Sequence, residues 1–156
     1  MIVYDPTGDI FESKAKAWVN PVNCIGVMGK GLAAEFKERF PRLFKAYHQH
    51  CLDHKMQIGQ CYLWRTNKRH PDYIINLPTK FHWRDKSQLR WVADSLDSLI
   101  GLIEVHNIHS IAIPQLGCGL GGLDWSDVRA LIIERLKGLD DVDVTLYGPA
   151  AERDAA

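Results

Sequence analysis

Two glycine-rich loops constrain the fold of this 156-residue chain more than any other feature. Residues 23–31 read NCIGVMGKG and residues 114–122 read PQLGCGLGG; each loop follows a short apolar run and precedes a segment with helical periodicity. A strand, a glycine loop and a helix start form a phosphate cradle, because glycine admits close backbone approach and the helix N-terminus attracts anions. One such loop is usually only a tight turn. Two in one small chain predict a ligand with a central diphosphate held from both sides.

Short apolar runs alternate with amphipathic segments along the rest of the chain. The predicted strands are Ile2–Tyr4, Ala17–Val19, Gln60–Trp64, Tyr73–Leu77, Ser110–Ile113 and Val142–Tyr147. The predicted helices cover residues 32–40, 41 to about 54, 86–105 (with Asp85 and Gln88 as a capping pair) and 126 to about 137. This alternation implies an α/β protein, a three-layer α/β/α sandwich with a mixed central sheet. We expect one domain over residues 1–149 and a C-terminal tail over residues 150–156.

Composition excludes several classes of function. Lys plus Arg and Asp plus Glu both number 19, so any nucleic-acid contact must come from a local patch. There is no apolar run of membrane-spanning length and no signal-like N-terminus, so we expect a cytoplasmic monomer without a membrane partner. The four cysteines are scattered and predict free thiols, with a nucleophilic role as the lesser alternative. The histidine cluster 48–54 lacks a completing carboxylate or thiol, so we predict no metal and no cofactor.

Two familiar phosphate-binding motifs fail on inspection. Gly117, Gly119 and Gly122 have the G-x-G-x-x-G spacing, but a Rossmann fingerprint opens the first βαβ unit and needs an acidic residue at the end of the next strand. Here the loop comes late and the next strand ends Leu-Tyr-Gly. The Gly-Lys-Gly run at residues 29–31 also differs from a Walker A loop, since it lacks the first glycine and the Ser/Thr that binds magnesium.

The order of motifs instead resembles the macrodomain, an ADP-ribose-binding module, over almost the whole chain. The motifs are Gly-Asp-Ile at residues 8–10, NPVN at 20–23, the loop at 26–31 and IPQLGCGL at 113–120. The runs CIGVMGKGLA (24–33) and GCGL (117–120) are similar to the macrodomain branch that hydrolyses terminal ADP-ribose with a lysine. Within that branch, NLPTKFHWR (76–84) resembles DarG-type antitoxins. These remove ADP-ribose from thymidine in DNA and reverse the DarT-type toxin, a DNA ADP-ribosyltransferase.

The resemblance implies roles for named residues. Asp9 accepts a hydrogen bond from the adenine amino group beside the Ile10 backbone, and Tyr147 stacks on adenine, although a turn residue and a core aromatic are the ordinary interpretations. Asn23 bonds the distal ribose and assists catalysis. The other implied ADP-ribose contacts are Asn20 (for which turn chemistry is an equal alternative), Gly29, Lys30, Gly31, Gly117, Cys118, Gly119, Leu120 and Gly121.

Lys80 is the candidate catalytic residue. It follows the apolar run 73–77, whose C-terminal end is where open α/β sheets bind ligands, and bulky residues surround it. Partial burial there favours a lowered pKa. Breaking a glycosidic bond creates positive charge at the sugar C1″ and negative charge on the leaving group, so a lysine can attack the first or protonate and stabilise the second. We favour the second role.

The chain departs from the lysine-using branch at Gly121, where those enzymes carry an aspartate that pairs with the lysine. A covalent lysyl intermediate resolved by that aspartate is therefore not expected. His82, Trp83 and Arg84 are the predicted contacts to single-stranded DNA, because basic residues interleaved with aromatic ones hold phosphates and stack on bases. The basic run 65–70 is explained equally well as a solvated loop. Removal of ADP-ribose from protein carboxylates, and ADP-ribose binding without catalysis, are the alternative functions.

Overall fold

A computed structural model of the chain describes residues 1–148. Its centre is a six-stranded sheet in the order β1-β6-β5-β2-β4-β3, in which only the β3–β4 pair is antiparallel. The strands are β1 Ile2–Asp5, β2 Ala17–Val22, β3 Tyr62–Arg65, β4 Tyr73–Pro78, β5 Ser110–Ile113 and β6 Asp143–Tyr147. All six predicted strands are present, and the mixed sheet is confirmed. The predicted tail at 150–156 lies outside the described residues.

Helices cover both faces of the sheet. They are α1 Gly31–Arg39, α2 Pro41–Leu52, α3 Leu89–Val105 and α4 Trp125–Leu136. Alternate residues of β2 separate two cores: Ala17 and Val19 pack in the layer with α3 and α4, whereas Trp18 packs in the layer with α1 and α2. This is the predicted three-layer sandwich. Within residues 1–148 no helix has the length and apolar character needed to cross a membrane.

The start of α3 differs from the prediction. The helix begins at Leu89, its N-cap Gln88 makes no side-chain capping bond, and the Asp85–Gln88 capping pair is wrong. Asp85 instead accepts a hydrogen bond from the His82 backbone N–H at 2.8 Å, inside the loop that precedes the helix. Asp85 therefore belongs to the loop that joins β4 to α3. Hydrogen bonds within residues 80–85 hold this part of the loop.

The carboxyl ends of β2, β4, β5 and β6 meet at one edge of the sheet, because these strands are parallel. Both glycine loops leave from this edge, one between β2 and α1 and the other between β5 and α4. Open α/β sheets bind ligands at this edge.

Candidate active site

A cleft of about 1030 Å³ opens at this edge of the sheet. Segments from five parts of the chain line it, from the turn after β1 to the end of β6. The predicted site residues that line the cleft are Asp9, Ile10, Asn23, Gly29, Lys30, Gly31, Lys80, Trp83, Gly117, Cys118, Gly119, Leu120, Gly121 and Tyr147. The fold therefore brings together residues that lie far apart in sequence. Asn20, His82 and Arg84 are predicted site residues that do not line it.

One end of the cleft is formed by the turn after β1 and the end of β6. The Asp5 carboxylate accepts hydrogen bonds from the backbone N–H groups of Thr7 (3.2 Å) and Gly8 (2.8 Å), which closes the turn. Asp9 is exposed on the cleft wall, and its Oδ1 accepts from the Phe11 N–H at 3.0 Å. Asp9 thus caps a short 3-10 turn and also lines the cleft, where half-buried Tyr147 lies as well.

The first glycine loop presents the start of α1 to the cleft. Gly26 and Gly31 have positive φ values of 90° and 63°, which L side chains rarely adopt. Lys30 is the N-cap of α1 but supplies no side-chain bond to the first turn. Residues 31–33 line the cleft, so the uncapped amide groups of this turn face a space suited to an anion.

Asn23 organises this loop from within. Its Oδ1 accepts from the N–H groups of Ile25 (3.1 Å) and Val27 (3.3 Å), and its Nδ2 donates to the Val27 carbonyl at 2.8 Å. The Tyr47 hydroxyl, fully buried on α2, donates to the same Oδ1 at 2.7 Å. Asn23 lines the cleft, and only one of its two amide hydrogens has an acceptor within the described chain. A bond from the other hydrogen to a ribose hydroxyl remains a prediction.

The second glycine loop packs against the segment that carries Lys80. The Ser87 N–H donates to the Gly121 carbonyl at 3.0 Å. A Cβ added at Gly121 would lie 2.4 Å from both the Gly117 carbonyl oxygen and the Ser87 Oγ. The loop in this conformation therefore has no room for the aspartate of the lysine-using branch, which gives a steric reason for the departure seen in the sequence.

Asn20 lies inside the sheet rather than in the cleft. It is fully buried on β2, and its Nδ2 donates to the Asn76 Oδ1 on neighbouring β4 at 3.2 Å. The side chain of Asn20 does not contact the cleft, whereas its neighbours Pro21 and Val22 do.

Lys80 extends from the end of β4 into the cleft and is only partly buried. Its Nζ donates to the backbone carbonyls of Trp83 (3.1 Å) and Asp85 (3.3 Å). Burial, followed by the nearby ammonium of Lys86, lowers the pKa of Lys80, while the Asp85 carboxylate opposes the shift. An ammonium group has three N–H donors, so one remains to face a bound ligand.

The three predicted DNA contacts occupy the turn held around Lys80. Trp83 is 45% exposed and lines the cleft. The Arg84 guanidinium lies 4.6 Å from the Trp83 ring centroid, and the His82 ring lies 5.4 Å from it. These three side chains form one aromatic and cationic surface at the rim. The other basic run, 65–70, begins at Arg65 opposite Tyr73, the first residue of β4, and is therefore at the far edge of the sheet.

Burial keeps Cys24, in the first glycine loop, in the thiol form. It raises the pKa of Cys24 to about 12, with Cys51 adding to the shift. The alternative of a nucleophilic Cys24 has no support, because the thiolate is the nucleophile. No cluster of metal-ligating side chains is present in residues 1–148.

Sequence reasoning missed some of the lining. The missed residues are Pro6, Thr7, Gly8, Pro21, Val22, Val27, Leu32, Ala33, Glu35, Thr79, Pro114, Gln115 and Gly148. Six of them directly adjoin a predicted site residue, and Val27, Pro114 and Gln115 belong to the predicted glycine loops, so adjacency in sequence was the available signal. No sequence signal pointed to Ser87 or Tyr47, because each donates a hydrogen bond to a glycine loop that is distant in sequence.

Comparisons with known proteins agree with this arrangement. Residues 19–132 match the family model described as Macro domain. The DNA ADP-ribosyl glycohydrolase of Mycobacterium tuberculosis is 44% identical over 151 residues, which cover 96% of this chain and 43% of that protein. The structure of the macrodomain of Mycobacterium tuberculosis DarG superposes with a TM-score of 0.93, at 44% identity, and covers 96% of this chain and 99% of the other.

A second relative comes from Thermosipho africanus. Its DNA ADP-ribosyl transferase-DNA ADP-ribosyl glycohydrolase fusion protein is 32% identical, over 94% of this chain and 42% of its own length. The structure of Thermosipho africanus DarTG in complex with ADP-ribose matches with a TM-score of 0.83 at 33% identity, over 91% of this chain and 40% of the other. The chain spans less than half the length of these two curated relatives. With its fold, its two-loop cleft and these matches, the chain belongs to the macrodomain family.

Proposed function

We propose that this macrodomain hydrolyses the glycosidic bond between ADP-ribose and a thymine base in single-stranded DNA. In this role it is the antitoxin of a DNA ADP-ribosyltransferase toxin and works in the cytoplasm, where the modified DNA lies. The names of its relatives support the proposal: two are DNA ADP-ribosyl glycohydrolases, and one of these is fused to a DNA ADP-ribosyl transferase. The cofactor-free chemistry of glycosidic hydrolysis fits the side chains of the cleft.

ADP-ribose would lie along the cleft with its adenine at the Asp9 and Tyr147 end. The diphosphate would then reach the two glycine loops, where the first-turn amides of α1 compensate its charge. The distal ribose would lie between Asn23 and Lys80, which both line the cleft. This direction places the sugar C1″ next to the aromatic and cationic rim that would hold the DNA strand.

In the proposed reaction the bond between C1″ and the base breaks, and Lys80 gives a proton to the departing thymine. Water adds its oxygen to C1″ and releases a proton, which restores the Lys80 ammonium. The products are ADP-ribose and the unmodified base. Lys80 suits this role because backbone carbonyls fix its Nζ and because its pKa is lowered, which makes it a better acid than an exposed lysine.

The observation that carries the proposal is the position of Lys80 in a cleft whose second loop excludes the aspartate partner. Gly121 has no room for a side chain. This disfavours the alternative function, removal of ADP-ribose from protein carboxylates, in which that aspartate acts with the lysine. A module that only binds ADP-ribose would have no use for a lysine tied to two carbonyls at the distal end.

The test is release of free ADP-ribose from an oligonucleotide that carries ADP-ribosylated thymidine. We expect release by the parent protein and a loss of about 100-fold or more for Lys80→Ala, the usual contribution of a general acid. ADP-ribose binding should be retained, as measured by calorimetric titration. Lys137→Ala, which removes an exposed lysine on a distant helix end, is the matched control.

Two outcomes would contradict the proposal. If neither protein releases ADP-ribose and both bind it tightly, the domain is a reader or acts on proteins. If the parent and Lys80→Ala release it equally fast, the enzyme does not use Lys80.

A further inference from the structure

A second cavity of about 450 Å³ lies beside the cleft, between the first glycine loop and the segment after α2. The two spaces meet along a shared wall. Asn23 and Lys80 line the cleft, whereas the next residues in sequence, Cys24 and Phe81, line the cavity. The Cys24 N–H donates to the Phe81 carbonyl at 2.8 Å, so the wall is held by a backbone hydrogen bond.

Phe81 is an aromatic ring with nothing stacked on it. The side chain is 54% exposed, and no other ring of residues 1–148 makes a stacking or edge contact with it. Its backbone is held through its carbonyl, which accepts a hydrogen bond from the Cys24 N–H, so the point from which the side chain projects is fixed. An exposed ring on a fixed backbone is what proteins use to stack on unpaired bases.

The remaining lining suits a flat heterocycle. Buried Cys24, Cys51 and Met56 form an apolar side, and burial raises the pKa of Cys51 to about 11, so its sulfur is uncharged near neutral pH. His54 and Gln57 add exposed polar side chains for which no hydrogen-bond partner is found within the described part of the chain. Stacking surface, apolar side and free hydrogen-bonding groups are the features that recognise splayed-out bases.

We propose that this cavity holds the base of the nucleotide next to the modified thymidine. The inference rests on the proposed function, because it needs the DNA strand to leave the cleft at Lys80. A DNA strand that leaves the cleft at Lys80 passes Phe81 directly, since Lys80 and Phe81 are adjacent and line the two sides of one wall. The domain then recognises single-stranded DNA through at least one unmodified neighbour as well as through the ADP-ribosyl group.

The experiment compares kcat/KM on two oligonucleotides with one ADP-ribosylated thymidine. In the first, the neighbouring nucleotides carry bases; in the second, abasic sites flank the modified thymidine on both sides. For the parent we expect a preference of about tenfold for the first, the size of one aromatic–base stack. Phe81→Ala should abolish the preference and Phe81→Tyr should keep it. Val105→Ala, an exposed apolar residue at the end of α3, is the matched control.

A parent protein that treats both oligonucleotides alike, or a Phe81→Ala variant with the full preference, would overturn the inference. If the parent releases no ADP-ribose from either oligonucleotide, the proposed function fails. The base site is then tested by DNA binding instead of by hydrolysis. Fluorescence anisotropy with unmodified oligothymidylate then decides. Weaker binding by Phe81→Ala supports the base site, and equal binding refutes it.

Discussion

Lys80 differs from an ordinary surface lysine in what surrounds its ammonium group. Two backbone carbonyls accept its hydrogen bonds. Burial lowers the pKa of Lys80 most, the Lys86 ammonium lowers it further, and the Asp85 carboxylate acts in the opposite direction. The Asp85 side chain also holds the turn by accepting from the His82 N–H. The pKa of Lys80 is therefore lowered by burial and adjusted by two charged residues of its own loop.

The pH dependence of the reaction tests this account. If the Lys80 ammonium is the acid, kcat/KM falls as pH rises through the Lys80 pKa, which lies below the usual lysine value. Lys86→Gln removes a like charge, so it raises the pKa of Lys80 and shifts the fall in kcat/KM to higher pH. Asp85→Asn keeps an acceptor for the His82 N–H but removes the negative charge that stabilises the Lys80 ammonium. It should therefore lower the pKa of Lys80 and shift the fall in kcat/KM to lower pH. A rate that instead rises with pH over this range would contradict acid catalysis by the Lys80 ammonium and show that the neutral amine is the active form.

At the scale of elements, the two glycine loops are held by parts of the chain far from them in sequence. Tyr47 on α2 donates to Asn23 in the first loop, and His48 bonds the Gly26 carbonyl at 3.1 Å. Ser87 holds Gly121 in the second loop. The loops are thus preorganised before a ligand arrives, which reduces the entropy lost on binding.

Close packing of the second loop predicts the effect of a side chain at Gly121. Gly121→Ala places a Cβ against the Gly117 carbonyl oxygen, so the loop must shift, at a cost of about 1–3 kcal/mol. Gly121→Asp should cost at least as much and should not create activity on ADP-ribosylated protein carboxylates. Thermal unfolding measures the cost. Gly119→Ala is the control, because a Cβ there meets no atom within 4 Å. Equal melting temperatures for Gly121→Ala and the parent would refute the steric explanation.

At the scale of the whole molecule, one sheet carries both cores and the cleft at its edge. Neighbouring strands β2 and β4 pair over six residues, from Ala17 opposite Tyr73 to Val22 opposite Pro78. Within this pair Asn20 bonds Asn76, whose Nδ2 in turn donates to the Tyr62 carbonyl on β3 at 3.2 Å. This chain of polar contacts crosses three strands and ties the edge strand β3, through β4, to β2 at the centre of the sheet.

Asn20→Ala should therefore reduce stability and leave ligand binding unchanged. It leaves the Asn76 Oδ1 buried without a donor, which costs about 1–3 kcal/mol. Chemical denaturation measures the loss, and ADP-ribose titration should give the same Kd as for the parent. Gln88→Ala, the loss of an exposed amide without a capping bond, is the control. A raised Kd for ADP-ribose at unchanged stability would contradict this prediction and support the role in ADP-ribose binding that the sequence predicted for Asn20.

The sequence by itself determined the fold and the general place of the site. Strand and helix periodicity are local properties, so all six strands were predicted with small errors at their ends. The glycine loops carry their own signal, because positive φ and close approach demand glycine. The motifs of these loops, together with Gly-Asp-Ile at residues 8–10 and NPVN at residues 20–23, identified the macrodomain family.

Only the tertiary structure decided which predicted residues meet and what each one touches. The sequence pattern could not tell that Asn20 faces a neighbouring strand, that Ser87 leaves no space at Gly121, or that Phe81 borders a second cavity. Asp85 was predicted as a helix cap but holds the Lys80 turn, since the next strong contacts lie within its own loop. The physical reason is common to the first three: packing and hydrogen bonding act between segments that only the folded sheet brings together.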